Sequence, residues 1–430
     1  MKVYTRKTTG AIAFVAAAGL VLAGCSSADN SESGGEGGDQ STDVLQIGTL
    51  LPQTGQLSYL APGPQAAAAL AVSDINAAGG VLGEDVEVVV NANEGDTTDP
   101  TVNAGGVDDI LSAGPSFVLG AMGTAMTNAA MPRLTEAGVL MGSPSNTGIA
   151  LTGVNDLYFR TAPPDSVQGR ALGNLIAQDG KASVAILVFN DDYGMGLRDN
   201  LEETLTEQGA EVVYGAKGAG EEFPTDQTSF SSEVAAVKAT DADAVVVLAY
   251  EQTRQIIPEL ANQDVDLSNL YLVDGNTNDF SPEAEAGGFD AGLLEGAQGT
   301  IPGAQVDEEF REQLKQAYEE SEGGTLDSFN YAPEAYDAIV LVALAAQRGG
   351  AADSGTITEN LSAVSGADGG EECSTYAECL ELLEADEEIH YRGKAGIGPI
   401  NEDNDPSTAL IGIYEYDDNN VPEYVSSIEG

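Results

Sequence analysis

Ala182-Ser183-Val184-Ala185-Ile186-Leu187-Val188-Phe189 is a nearly unbroken apolar run, closed by the turn residues Asn190-Asp191-Asp192. A run this short, rich in aliphatic side chains and bounded by polar residues, reads as a strand buried on both faces. Segments of the same kind return at Glu211 to Tyr214, Asp243 to Tyr250 and Asn269 to Val273. A helix-length stretch separates each pair, so the starts recur about every 30 residues, the length of a strand–helix–strand unit. That rhythm makes the chain α/β, with parallel sheets covered by helices.

Toward the N-terminus the pattern continues. Leu45 to Leu51 and Val86 to Val90 read as strands, as do Ser116 to Gly120 and Gly138 to Met141. Pro64 to Ala78 is an Ala-rich helix stopped by Gly79-Gly80. Asp99-Pro100 supplies a capping carboxylate and a proline at the first helical position, opening a helix to about Ser112. With 430 residues there is room for two such lobes, and a ligand would sit at their junction, facing the carboxyl ends of the strands.

Composition narrows the function. Seventy Asp and Glu stand against sixteen Lys and Arg, for a formal charge of −54, while hydrophobic residues reach 42%. The apolar share supports real cores. The charge excludes a nucleic-acid partner, because phosphate binding needs a basic surface. His390 is the one histidine, so no catalysis resting on several imidazoles is available. No phosphate-cradling loop ends in Gly-Lys-Ser/Thr, and no Gly-x-Ser-x-Gly elbow occurs. Asn401 to Asp405 offers oxygen ligands without the glycine and terminal Glu of a calcium loop, and reads as a solvated turn. The chain is therefore expected to be no enzyme and to carry neither metal nor cofactor.

The first residues are an address. Lys2, Arg6 and Lys7 precede an apolar run from Ala11 to Ala23 that is short for a permanent membrane span. Leu22-Ala23-Gly24-Cys25 resembles the bacterial lipobox, which implies cleavage after residue 24 and lipidation of Cys25. Residues 25–43 are Ser, Gly and acidic, a flexible tether reaching on the order of 20–25 Å. Outside the cell, Cys373 and Cys379 pair most readily into a local disulfide, half a metal site being the alternative.

Several segments of the body together resemble the branched-chain amino-acid-type periplasmic binding proteins, the extracellular receptors of ABC importers. They are Ile47-Gly48 with Pro52-Gln53-Thr54-Gly55, Asp74-Ile75-Asn76-Ala77-Ala78-Gly79-Gly80-Val81, and Ser143-Pro144-Ser145-Asn146-Thr147. Phe159-Arg160-Thr161 with Asp165 and Gln168-Gly169, Asp192-Tyr193-Gly194 and Gly398-Pro399 follow in the family's order. The resemblance implies two Rossmann-like lobes joined by three crossover segments, near 161–167, 297–304 and 396–401. Residues 44–162 with 303–396 would form lobe 1, and 163–302 with 397–430 lobe 2. Partners implied are a small-molecule ligand and an ABC permease with its ATPase, approached by a lipid-anchored monomer at the outer membrane face.

The same resemblance assigns the ligand contacts. Hydroxyls and backbone N–H groups of Gly123-Thr124 and of Ser145, Asn146 and Thr147 would hold the α-carboxylate of an amino acid. Lobe 2 would supply Tyr193, Tyr250 and Asp274, with Asp274 on the ammonium and the tyrosines closing over the ligand. Leu60, Met122 and Phe280 would line the side-chain pocket, a lean toward leucine, isoleucine or valine; amides, urea and aromatic compounds are alternatives in the same family. A ligand-sensing lipoprotein signalling to a membrane partner is the rival of import. The acidic, Lys-poor surface is expected to be an adaptation to high salt, where charge repulsion is screened.

Overall fold

The computed structural model describes residues 44–284, 287–303 and 305–429. The expected signal segment, Cys25 and the tether up to residue 43 lie outside them.

Lobe 1 opens with β1 (Gln46–Leu51), whose core residues are fully buried, followed by α1 (Pro62–Ala77) and β2 (Glu87–Asn93). Next come α2 (Pro100–Ala113), β3 (Phe117–Gly120), α3 (Thr124–Glu136), β4 (Leu140–Ser143) and β5 (Tyr158–Arg160). At the start of α2, the Asp99 carboxylate accepts the Thr101 N–H and Pro100 fills the first turn; Gly114 ends it in a left-handed turn. The strands pair in parallel in the order β2-β1-β3-β4-β5.

Lobe 2 runs α4 (Asp165–Gln178), β6 (Ser183–Val188), α5 (Asp192–Glu207) and β7 (Glu211–Tyr214). It continues through α6 (Ser231–Thr240), β8 (Ala244–Leu248), α7 (Thr253–Asn262), β9 (Leu270–Leu272) and β10 (Gln298–Pro302). The chain then returns to lobe 1 with α8 (Glu308–Glu322), α9 (Ala332–Gly349) and α10 (Ser354–Val364). Helix α9 is buried on nearly every face, because Ala, Val, Ile and Leu surround it, and it packs with α1 and Phe117 in one core. Beside it, β11 (Glu371–Cys373) and β12 (Ile389–Tyr391) form a parallel pair around α11 (Tyr376–Glu384), with Cys373 and Cys379 joined by a disulfide. Finally β13 (Leu410–Tyr416) and β14 (Pro422–Glu429) rejoin lobe 2.

The lobe-2 sheet has the order β14-β13-β10-β9-β8-β6-β7. It is mixed rather than purely parallel: β13 runs antiparallel to β10 and to β14. The terminal hairpin has little apolar content in β14, so the apolar-run signal did not mark it. Its outer strand is half-exposed, as an antiparallel edge can be.

The third crossover also differs. Residues 397–430 were expected in lobe 2, but Ile400 belongs to the lobe-1 core, and Arg160 N–H donates to the Asn404 carbonyl. The Arg160 guanidinium, 0% exposed, grips Asp405 at 2.6 and 2.8 Å. Its other N–H groups reach the Gly148 carbonyl at 2.8 Å and Thr152 Oγ1 at 2.7 Å. A buried ion pair persists when every donor is satisfied in this way. Asp405 is thus no solvated turn residue, and the chain passes to lobe 2 only between it and Leu410.

Candidate functional site

The carboxyl ends of both sheets face each other across a small cavity of about 20 Å³. On the lobe-1 side, the strand β3 releases its chain into Gly123-Thr124, which open α3, and β4 releases Ser145-Asn146-Thr147. The two loops are tied together. Thr124 donates its hydroxyl to Asn146 Oδ1 at 3.0 Å, and Ser145 donates to the Met122 carbonyl at 3.1 Å. Ser143 donates to the Ala121 carbonyl at 2.6 Å. Thr124, Ser145 and Thr147 line the cavity. Asn146 stands behind them, donating to Thr127 Oγ1 at 2.6 Å, so it braces the loops rather than facing the cavity.

Lobe 2 answers with aromatic rings and carboxyl groups. Asp191 caps α5 by accepting the Tyr193 N–H at 3.0 Å, which fixes Tyr193 in the first turn. Tyr250 follows β8, and its ring stacks on Tyr193 with centroids 5.4 Å apart at 10°. Phe189 meets Tyr250 edge-on at 4.8 Å, holding the stack from beneath. Asp274 follows β9 and is 5% exposed. Its Oδ1 accepts the Tyr193 hydroxyl at 2.6 Å, and its Oδ2 accepts the Tyr331 hydroxyl at 2.5 Å.

Tyr331 belongs to lobe 1, where it precedes α9, so this bond crosses the cleft. A second crossing bond runs from the Tyr59 hydroxyl to the Gly275 carbonyl at 2.7 Å, and a third from Gln252 Nε2 to Gln56 Oε1 at 2.7 Å. The lobes are closed on each other. Neither Tyr59 nor Tyr331 carries a sequence signal; each lies in a short stretch without helical or strand periodicity.

Burial dominates the electrostatics. It raises the Asp274 carboxyl above its usual range, although Tyr193, Tyr331 and Gln168 pull it back by hydrogen bonding. Asp165, at the start of α4, is raised well above, first by burial and then by the neighbouring Asp274 charge. Neither of its oxygens has a well-formed hydrogen bond, and the Thr147 hydroxyl and Arg160 ease its charge only in part. The Tyr193, Tyr250 and Tyr331 phenols are pushed far up by burial and nearby acids, so they stay neutral donors at neutral pH. Asp165 was legible as part of a crossover motif, not as a charge beside the cavity.

Leu60 and Met122 form the apolar wall, with Leu57 beside them. Phe280, expected in that wall, is elsewhere: it stacks with Phe289 and Tyr416 in the lobe-2 core, with Arg254 over its ring. Three neighbours of its own claim it, so no face is left for the cavity. The Gly123 N–H, expected to meet a ligand carboxylate, already donates to Glu94 at 2.6 Å. The arrangement can therefore grip a small molecule that accepts hydrogen bonds at one end and donates them at the other.

Comparison with known proteins gives a consistent family. A model described as "Periplasmic binding protein" matches residues 44–376. The leucine-, isoleucine-, valine-, threonine-, and alanine-binding protein of Pseudomonas aeruginosa is 26% identical over 324 residues, 75% of this chain and 83% of that one. Among solved structures, the branched-chain amino-acid transporter substrate-binding protein LivJ of Streptococcus pneumoniae superposes with a TM-score of 0.69 at 22% identity, covering 90% of this chain and 99% of the other. A solute-binding protein of R. palustris superposes with a TM-score of 0.70 at 16% identity, over 90% and 97%. The chain belongs to the periplasmic binding protein family.

Proposed function

We propose that this protein is the lipid-anchored receptor of an ABC importer, capturing an amino acid with an apolar side chain and delivering it to the permease. One observation carries the reading: hydroxyls and a helix N-terminus converge from lobe 1 on the cavity that Asp274 and two tyrosines close from lobe 2. An α-carboxylate suits the first group, where charge-assisted hydrogen bonds contribute about 1.5–3 kcal/mol each. The ammonium suits the second, where a buried carboxylate otherwise lacks a cation. Leu57, Leu60 and Met122 would receive an aliphatic side chain. The Pseudomonas relative is named for leucine, isoleucine, valine, threonine and alanine, and the pneumococcal structure holds isoleucine.

Closure follows from population shift. A ligand that touches both lobes stabilises the closed form in proportion to its contacts with the second lobe. The R. palustris structure holds 4-hydroxybenzoate, and the tyrosine-rich wall here would suit an aromatic acid equally in shape, though such a ligand leaves Asp274 without a cation. A thermal-shift screen of the twenty amino acids and 4-hydroxybenzoate, run in molar NaCl, decides between them. A shift with leucine, isoleucine or valine is expected. A shift with 4-hydroxybenzoate alone would replace this reading.

A further inference from the structure

Strand β2 ends at Asn93, and the next side chain turns across the carboxyl end of the sheet. With the order β2-β1-β3, the loop after β3 lies two strand spacings away, about 10 Å. Glu94 spans that gap. Its N–H donates to the Leu51 carbonyl at the end of β1 at 2.9 Å, and its carboxylate accepts the N–H groups of Met122 at 2.7 Å and Gly123 at 2.6 Å. The loop is packed onto it: a methyl group on Gly123 would stand 3.1 Å from Glu94 Oε1.

This is an unfavourable place for an acid. Glu94 is 0% exposed and forms no ion pair among the described residues; burial raises its carboxyl, while the Met122 and Gly123 N–H groups favour the ionised form. A neutral acceptor could satisfy one N–H without that penalty, but only a carboxylate presents two equivalent acceptors to two consecutive N–H groups. Met122, itself in the clamp, and Thr124, the residue after Gly123, are the cavity faces of the same loop.

We propose that Glu94 is a positioning residue for the lobe-1 half of the site. By holding Met122 and Gly123 from behind, it aims the first N–H groups of α3 at the ligand's carboxylate. The assignment rests on the amino-acid reading above. Its signature is discrimination rather than stability: without the clamp, the loop donors no longer converge on a carboxylate, while contacts to the ammonium and side chain stay in place.

The test is calorimetric titration of wild type, Glu94→Gln and Glu94→Ala with L-leucine and L-leucinamide, or with whichever amino acid the screen prefers and its carboxamide. Wild type should favour the acid over the amide. Glu94→Ala should lower that preference by roughly tenfold, the weight of one charge-assisted hydrogen bond. Glu94→Gln, which keeps the length and one acceptor, should fall between. A merely structural role would weaken acid and amide alike and leave the ratio at the wild-type value; that result overturns the proposal. So does a preference that rises in both variants, which would make Glu94 a repelling charge. Should Glu94→Ala not fold, the ratio in Glu94→Gln decides alone. Wild type that binds no amino acid would sink the amino-acid reading itself, whereas binding with an unmoved ratio sinks only the role of Glu94.

Discussion

The two lobes meet one cavity with opposite chemistry. Lobe 1 brings small hydroxyl side chains on loops bonded to one another and the Tyr331 ring, with the Glu94 carboxylate turned away and spent on backbone N–H groups. Lobe 2 brings large rings and the carboxyl groups of Asp274 and Asp165, one bonded to two phenols and one without a well-formed partner. The difference teaches how a dipolar ligand can be read by a hinge. On the amino-acid reading proposed above, each half would recognise one end, so neither half alone would hold the ligand well, and closure would become the measurement of fit.

The largest expected break in that comparison is Asp274→Ala. It would leave the ammonium buried without a partner, and affinity for the amino acid should fall by about 2–5 kcal/mol in a calorimetric titration. Unchanged affinity would remove Asp274 from the site. A smaller effect is expected from Tyr331→Phe, which keeps the ring but deletes the lobe-1 hydroxyl on Asp274. Affinity should fall by about 0.5–1.5 kcal/mol, and small-angle scattering should show a more open average shape without ligand. Equal scattering and equal affinity would show that the bond contributes nothing to closure. The gentlest test sets the cleft against the outer surface. Most of the seventy acids lie outside the cavity, and their repulsion is screened as the Debye length falls from about 30 Å at 0.01 M to about 3 Å at 1 M salt. The melting temperature should rise by several degrees from dilute buffer to molar NaCl, and equal values would refute salt adaptation of that surface.

The parallel strands were legible because a strand buried on both faces must be apolar along its length, as Val184 to Val188 and Ala244 to Leu248 are. The loops after β3, β4, β8 and β9 were legible because motif and strand end coincide at Thr124, Thr147, Tyr250 and Asp274. Tyr331 was not: it approaches the cavity from a loop before α9, more than fifty residues from the partner it bonds. Asp405 and Glu94 were hidden for another reason. In a chain with seventy acids, burial is what distinguishes these two, and burial is a property of the fold rather than of the local sequence. Phe280 was misplaced because an aromatic near a strand end suits a pocket and a core equally; only the rings of Phe289 and Tyr416 decide it.

The Arg160–Asp405 pair ties two of the three connections to the same half of the molecule, and the same guanidinium donates to the carbonyls of Asn146 and Gly148. A hinge would therefore flex past the clasp, at the few residues before Asp165 and before Leu410. The jaw that carries the hydroxyl loops would then swing as one stiff piece, and opening would leave the shape of its grip unaltered.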